Sequence, residues 1–597
     1  MILDCDIAAT QQANSFGIAG LPLMHSQSEF SAFPALLRPC IRCQNLHNCT
    51  WAECEKHHVG AVMAEFGVLN WSIVIAFLVA NLLLGYVLGK KVDSAESFYI
   101  GNRTTPWWAI GMSVMATYVS ALSFLGAPAW AYTDGLSALA IHLNYPIVIF
   151  IVITFFLPFF FNSGVPSIYE YQERRFGPTA RSVMSIIFLI SQALTTAAIL
   201  YATALVLKFM TGMSVATAVI AISIIALIYT MMGGMLAVIW TDTFQGVVLI
   251  LGALIIMFAL INAVPNGIMG ALGELKAQGK LSAIVLDPDI TKPTTIWSGV
   301  FAMTLFHVTV YGANQMMVQR TLGSKNIGDA KKSYLFMGYG AFFIYFLFFF
   351  IGVLCYSFYQ GRVFDNPNEI ILTFARDNGI PGLSGILAAA VLAASMSTLS
   401  SAYNSLATVS TLDFYQRYFK KDGDEKHYLD VTRGFTLTWA LVIIVPAFMY
   451  AQTQGSILEV LSKIGSYFVG AKLGMYGLGF FSKHTNEKGL LVGVAVGFGV
   501  IAYVATQTEI AWPWFCGIGG TVTILVGIVA SLAIGGKQQK WSRYTIEGQR
   551  QAFAREGTPE KVGGWYQMPG KIDAASWWLL VFFVATIAAL IALNVIA

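Results

Sequence analysis

Charge is what this sequence has least of. Only 11% of its 597 residues are Asp, Glu, Lys or Arg, less than half of the roughly 25% usual in soluble domains. A soluble chain of this length needs far more polar surface, so a water-soluble globular protein is excluded. The net charge of +4 is small and spread over loops, and it says nothing of nucleic acid. Cysteine is scarce beyond residue 54, where only Cys355 and Cys516 occur; both sit in apolar segments, as small packing residues do. The eight histidines are scattered, which disfavours an integral membrane enzyme. A continuous polar pore or carbonyl filter, which a channel needs, is missing. So is any appended signalling or catalytic domain, which a membrane sensor would carry.

What is present is apolar. Hydrophobic residues make up 56% of the chain, and runs of about 20, each long enough to span a bilayer, recur along almost its whole length. The reading is an all-α polytopic membrane protein. Residues 1–62 stand apart. They hold Cys40, Cys43, Cys49 and Cys54 with His47, His57 and His58, types that suit a tetrahedral zinc site, but at a spacing that fits no strong zinc pattern. They lack the basic start and apolar stretch of a signal peptide. They are expected to be a non-membrane extension, disordered or not normally translated, with Met63 as the working start.

Fourteen spans are expected: roughly 67–89, 106–131, 135–161, 182–209, 214–233, 237–263, 294–318, 333–358, 382–411, 433–452, 456–481, 488–508, 515–535 and 575–597. With the N-terminus outside, Lys90, Lys91, Arg174, Arg175, Lys331, Lys332, Lys420, Lys421 and the basic stretch Lys537–Lys571 all fall on the cytoplasmic side, where Lys and Arg gather. Both termini are then external. The organisation expected is a core of spans 1–13 over 63–535, a polar, surface-lying cytoplasmic loop at 536–574, and a last span at 575–597, in the plasma membrane.

Two spans look broken. In the second, Gly111 and the pair Gly126 and Pro128 flank a polar stretch through Tyr118, Ser120 and Ser123; the seventh carries His307, Thr309, Tyr311, Gly312, Asn314 and Gln315. Backbone freed inside a membrane must be re-paired or line a cavity. Two such breaks five spans apart are the sign of an inverted-repeat transporter with its site at the breaks.

The residues now carry a resemblance. Gly233–Gly234 with Trp240–Thr241–Asp242 and Gln245, then Asn314–Gln315 with Gln319–Arg320–Thr321–Leu322, then Ser397–Thr398, Ser400–Ser401 and Asn404, resemble motifs of the solute:sodium symporter family. The likeness covers about 65–535. Ser167–Ile168–Tyr169–Glu170–Tyr171 leans toward its branch of iodide, monocarboxylate, multivitamin and sialic acid carriers. The family implies a five-plus-five, LeuT-like inverted repeat working by alternating access, with sodium as coupling ion and no cofactor.

Sodium, a hard cation, wants oxygen ligands, as calcium and magnesium do. At 100° per residue, Ser397, Ser400 and Ser401 share one helix face and Thr398 lies about 100° round from Ser397. The resemblance implies one sodium held by carbonyls of Ala116, Val119 and Ala394 with the hydroxyls of Ser397 and Thr398. It implies a second, found in some members only, held by Asp242, Ser397, Ser400 and Ser401. Intramembrane carboxylates are functional by default; the competing reading is a partly wetted residue or one paired with an arginine. The resemblance further puts Ser123, His142, His307, Val310, Tyr311 and Ser462 near the solute. His142, His307 and Val310 stand where the sugar carriers have an acid, an amide and a gating tyrosine, and Thr195 stands where sialic acid carriers have an arginine, so the chain departs from both patterns. Lys463 and Lys472 need a partner or water within the membrane: an anionic solute, a local pair or snorkelling would each serve. The function expected is uptake of a small polar organic solute driven by two sodium ions.

Overall fold

The computed structural model of the protein describes residues 66–90, 94–101, 103–165, 167–450, 457–534 and 541–596. The cysteine and histidine cluster and Met63 lie outside the described residues, as do the side chains of Ser462 and Lys463. The main helices are α1 (Val68–Gly89), α2 (Trp107–Tyr118), α3 (Ala121–Asp134), α4 (Pro178–Thr211), α5 (Val215–Ala263), α6 (Met303–Gly312), α7 (Gln315–Leu322) and α8 (Ile327–Phe358). They continue as α9 (Leu383–Val409), α10 (Glu425–Tyr450), α11 (Ile457–Phe481), α12 (Glu487–Gln507), α13 (Pro513–Ile534) and α14 (Ala574–Ile596).

Among the described residues ten helical segments are long and apolar enough to cross a membrane, against fourteen spans expected. The difference has local causes. Ala121–Ser163 runs together the rest of the broken second span and the third. The seventh span is cut into α6 and α7, each too short to count. Of the eleventh, α11, the side chains are described only from residue 465 on.

The remaining merger is α5, 49 residues long. At 1.5 Å per residue a straight helix of that length would be about 74 Å, more than twice a hydrocarbon core of about 30 Å. The helix does not stay straight. Gly234 takes φ 50° and ψ −149°, a conformation that L residues avoid, and the ring of Phe98 packs against it. Both halves then flank the C-terminal part of α1: Gly85 and Gly89 lie against Tyr229 and Met232, Asn81 accepts a hydrogen bond from Gln245 at 2.7 Å, and Phe77 stacks on Phe244.

At the centre stands α9, buried on every side from Leu387 to Val409 and packed against α1, α4, α5 and α10. Its small residues (Ala388–Ala390, Ala393, Ala394, Ser395) allow this close approach. The tail that follows α13, expected as a polar, surface-lying loop, is docked on the bundle. Lys331 at the start of α8 pairs with Asp573 at 2.5 Å, Asn162 donates to the Gln567 carbonyl, and Tyr171 donates to the Tyr544 carbonyl. Lys331 and Arg175, both expected in basic cytoplasmic loops, are buried, with Arg175 donating to the Ser482 carbonyl at 2.6 Å.

Candidate functional site

Both expected breaks are present. Helix α2 stops at Tyr118, Val119 and Ser120 are extended (ψ 92° and 174°), and α3 restarts at Ala121. Helix α6 stops at Gly312; Asn314 is extended and caps α7 by accepting from Met316 N–H at 2.9 Å. An interrupted helix leaves carbonyls without intrahelical partners, and the buried hydroxyl face of α9 meets the first interruption. Thr398 donates to the Thr117 carbonyl at 2.9 Å and to its own helix at Ala394 O at 3.3 Å. Ala116, just before Thr117, and Val119, two residues after it, are both buried. The structure thus gathers Thr398, the Ala394 carbonyl and the unwound turn of α2. Ser397 Oγ is buried nearby and makes no hydrogen bond, an orphan that buried polar groups seldom are.

One turn further along α9 lies Asp242 of α5, fully buried. Its Oδ2 is crowded: it accepts from Ser113 at 2.8 Å, Thr117 at 3.0 Å, Arg320 at 3.2 Å and Ser401 at 3.3 Å. Oδ1 accepts only a long 3.4 Å bond from Ser400, whose hydroxyl also reaches the Ser397 carbonyl. Asp242 is therefore paired with an arginine, and Arg320 of α7 is itself fully buried, donating also to Ser113 and Thr117 at 2.9 and 2.8 Å and to Ser401. The guanidinium holds one carboxylate oxygen. The other faces Ser400 and the orphan Ser397, a half-shell of oxygens that fits a hard cation.

The solute candidates meet on the far side of Tyr118. His307 bonds Tyr118 Oη through Nε2 at 2.9 Å and Asn144 Oδ1 through Nδ1 at 3.0 Å. His142 bonds Tyr145 Oη at 2.9 Å and lies flat on Tyr345, ring centroids 3.6 Å apart. Ser123 shares a hydrogen bond with Tyr345 at 3.2 Å. Tyr311 packs on Tyr118 at 5.1 Å and Tyr145 at 5.9 Å. Val310 joins Val469 and Cys516 beside Tyr118, Phe306 and Leu473. Two buried polar atoms of the cluster, Tyr311 Oη and Asn144 Nδ2, make no hydrogen bond of normal geometry. Ser123, His142, His307, Val310 and Tyr311 thus come together from three helical segments, α3, the turn Gly135–His142 that follows it, and α6.

Residues 98–497 match the sequence model of the sodium:solute symporter family. The chain belongs to that family. The symporter is 30% identical over 424 residues to sodium-coupled monocarboxylate transporter 2 of Mus musculus, covering 70% of this chain and 68% of that protein. It is 29% identical over 476 residues to the sodium/sialic acid symporter NanT of Aliivibrio fischeri, covering 78% and 94%. A solved structure of a Na+-coupled sialic acid symporter, substrate-bound, outward-open and described as revealing a novel Na+ site, superposes with a TM-score of 0.74 at 26% identity, over 79% of this chain and all of that one. The symporter is a multi-pass, sodium-coupled secondary transporter on the inverted-repeat fold, and not an enzyme.

Sequence reasoning did not reach several residues of the site. Arg320 was visible only as part of a motif, and nothing in the sequence paired it with Asp242, 78 positions earlier. Tyr145, Tyr345 and Asn144 sit in apolar runs where each reads as packing. The signal that could have found Asn144 is its place two residues after His142, between that histidine and Pro146, where a helix must restart.

Proposed function

We propose that the symporter couples the inward flow of two sodium ions to uptake of one small organic solute of the monocarboxylate type across the plasma membrane, with both termini outside. One observation carries this: the hydroxyl face of α9 meets the unwound turn of α2 at Thr117, and the next residue, Tyr118, is the wall of the histidine–tyrosine cluster. A cation among the Ala116 and Val119 carbonyls, the Ala394 carbonyl, Ser397 and Thr398 would fix that turn, and with it the Tyr118 ring against which solute binds. A second cation would sit at Asp242 Oδ1 with Ser397, Ser400 and Ser401. Coupling of this kind is a shared free energy between neighbouring sites. The solute carried by the relatives supports the substrate class.

The rings of Tyr118, His142, Tyr145, His307 and Tyr345 touch one another, and all but the half-buried Tyr118 are buried, so solute reaches the cluster past Tyr118 as the rings part. That movement is what alternating access requires of the broken helices. Each sodium entering down 100 mV and a tenfold gradient releases roughly 2.3 plus 1.4 kcal/mol. Two sodium ions with one monovalent anion would carry one net positive charge inward. They would support an uphill ratio of several thousand, on the order of 5 kcal/mol.

The test is the reversal potential of solute-coupled current in reconstituted vesicles at known gradients. Two sodium ions per solute are expected. A ratio of one in the native protein overturns the second site.

A further inference from the structure

Helix α11 carries a lysine that the reading above does not use. Lys472 is 4% exposed and lies mid-way along a helix expected to span the membrane. Its Nζ makes one hydrogen bond, to Ser191 Oγ of α4 at 3.1 Å, and lies 5.6 Å from the centroid of the Phe188 ring. Among the described residues no carboxylate is within ion-pair distance of it. An ammonium has three donors, so two of them lack an acceptor among the described residues. Cations this deep in a membrane protein ordinarily pair with an anion or face a water-filled path; the ring of Phe188 contributes a cation–π attraction that only partly replaces a counter-ion.

The neighbours show which path. Val469 and Leu473, on the adjacent face of α11, pack against Val310, Phe306 and Tyr118, so this stretch of α11 borders the aromatic cluster. The unpartnered hydroxyl of Ser466 is on the same helix. Across from Lys472, Ser191 and Thr195 lie one turn apart on one face of α4, with Thr195 donating to the Ser191 carbonyl at 2.8 Å. A cation with no counter-ion among the described residues, two hydroxyls and an aromatic wall thus stand together.

We infer that Lys472, held by Ser191, is the anchor for the carboxylate of the solute, while the body of the solute rests against the cluster of His142, Tyr345 and Tyr311. The inference rests on the sodium-coupled reading above and adds to it a residue that selects for negative charge. A carboxylate would meet Nζ in a charge-assisted hydrogen bond, stronger than one between neutral groups. The amide of the same acid would leave the ammonium unneutralised, and a site built to pair a buried polar group rejects the analogue that lacks it.

The experiment uses matched pairs, propanoate with propanamide and benzoate with benzamide, as radiolabelled probes in vesicles holding the full chain under an inward sodium gradient. Sodium-induced thermal stabilisation is recorded in parallel as a readout of fold and ion sites. The native protein should accumulate at least one acid and discriminate against its amide at least tenfold. Lys472→Met should lose that discrimination and lower acid uptake at least tenfold while keeping the stabilisation by sodium. If Lys472→Met does not fold, Ser191→Ala, which removes the hydroxyl that holds Nζ, should raise the half-saturation concentration for the acid several-fold and leave that for sodium unchanged. The inference is overturned by a native protein that takes up neither acid. It is equally overturned by Lys472→Met with unchanged acid selectivity, or, where that variant does not fold, by Ser191→Ala with unchanged acid kinetics. In each of these cases persistent sodium stabilisation and sodium-driven uptake of a neutral solute would leave the symport reading standing; loss of both in the native protein would remove that reading as well.

Discussion

At the scale of single residues, the hydroxyls of α9 divide the labour between two places. Thr398 bonds backbone at the α2 break and does not reach Asp242, whereas Ser400 reaches Asp242 and not the break, and Ser401 reaches Asp242 and only the side chain of Thr117. Replacing each should therefore give different phenotypes. Thr398→Ala is expected to abolish nearly all sodium-driven uptake. Asp242→Asn should keep transport but lower the Hill coefficient for sodium from near two toward one, the mark of losing one of two coupled sites; sodium activation curves of uptake check both. An Asp242→Asn variant whose stoichiometry is unchanged would make the carboxylate a structural partner of Arg320. Tyr118 belongs to both neighbourhoods, since its carbonyl side adjoins the break and its hydroxyl holds His307. Tyr118→Phe leaves His307 Nε2 buried without a partner, a loss of about 1–3 kcal/mol. The solute half-saturation concentration should rise about tenfold or more, with sodium affinity nearly unchanged when measured in the absence of solute. His307→Ala should raise it similarly. If neither variant alters solute kinetics, the aromatic cluster is packing rather than pocket.

At the scale of elements, the fold turns on backbone that departs from helix at three points: 119–120, 313–314 and Gly234. Alanine at Gly234 would hold a Cβ 2.8 Å from the Phe98 ring in a conformation that costs a non-glycine residue about 1–3 kcal/mol. Gly234→Ala should therefore lower the melting temperature in detergent by several degrees; a melting curve unchanged from native would show that the bend tolerates a side chain. The two breaks were legible in the sequence because Gly, Pro, Ser and Asn in mid-span are visible departures from an apolar run. The bend at Gly234 was legible only as the gap between two expected spans. The hydroxyl cluster of α9 was legible from helical spacing, since a face is a local property. Its partners were not: Arg320 to Asp242, Tyr345 to His142 and Lys472 to Ser191 join spans that only the packed bundle brings together. Lys331 shows the limit of counting loop charges, because a basic residue at a helix start can be buried once a tail such as 541–573 covers it.

At the scale of the molecule, a symporter must close one end while the other is open, and the basic end of this bundle is tied together by a charge network. Asp413, fully buried, accepts from Ser167 and Ser185, each at 2.9 Å, and from Arg181 Nε at 2.8 Å. Arg181 also pairs with Glu173 at 2.9 Å, and Glu173 with Arg417 at 2.8 Å. These bonds tie the helix Ile168–Arg175, the start of α4 and the segment Ser410–Phe419 into one unit. Beside it lies a cavity of about 300 Å³ lined by Tyr99, Arg103, Leu322, Leu412 and Glu425. Removing one member of a buried ion pair costs about 3–5 kcal/mol, and Glu173, still bound to Arg181, reduces that loss. The loss falls on a state in which the three segments are joined, as they are here, and not on one in which they part. A difference of about 1.4 kcal/mol is already a tenfold change in population, so Asp413→Asn should shift the protein toward the state open at its basic end. A cysteine placed by Leu412→Cys should then react faster with a membrane-impermeant thiol reagent applied to that side. Uptake from the opposite side should need more sodium, since the ions must first draw the protein back. Unchanged labelling in a variant that still binds sodium would mean that the network holds the fold together without governing access.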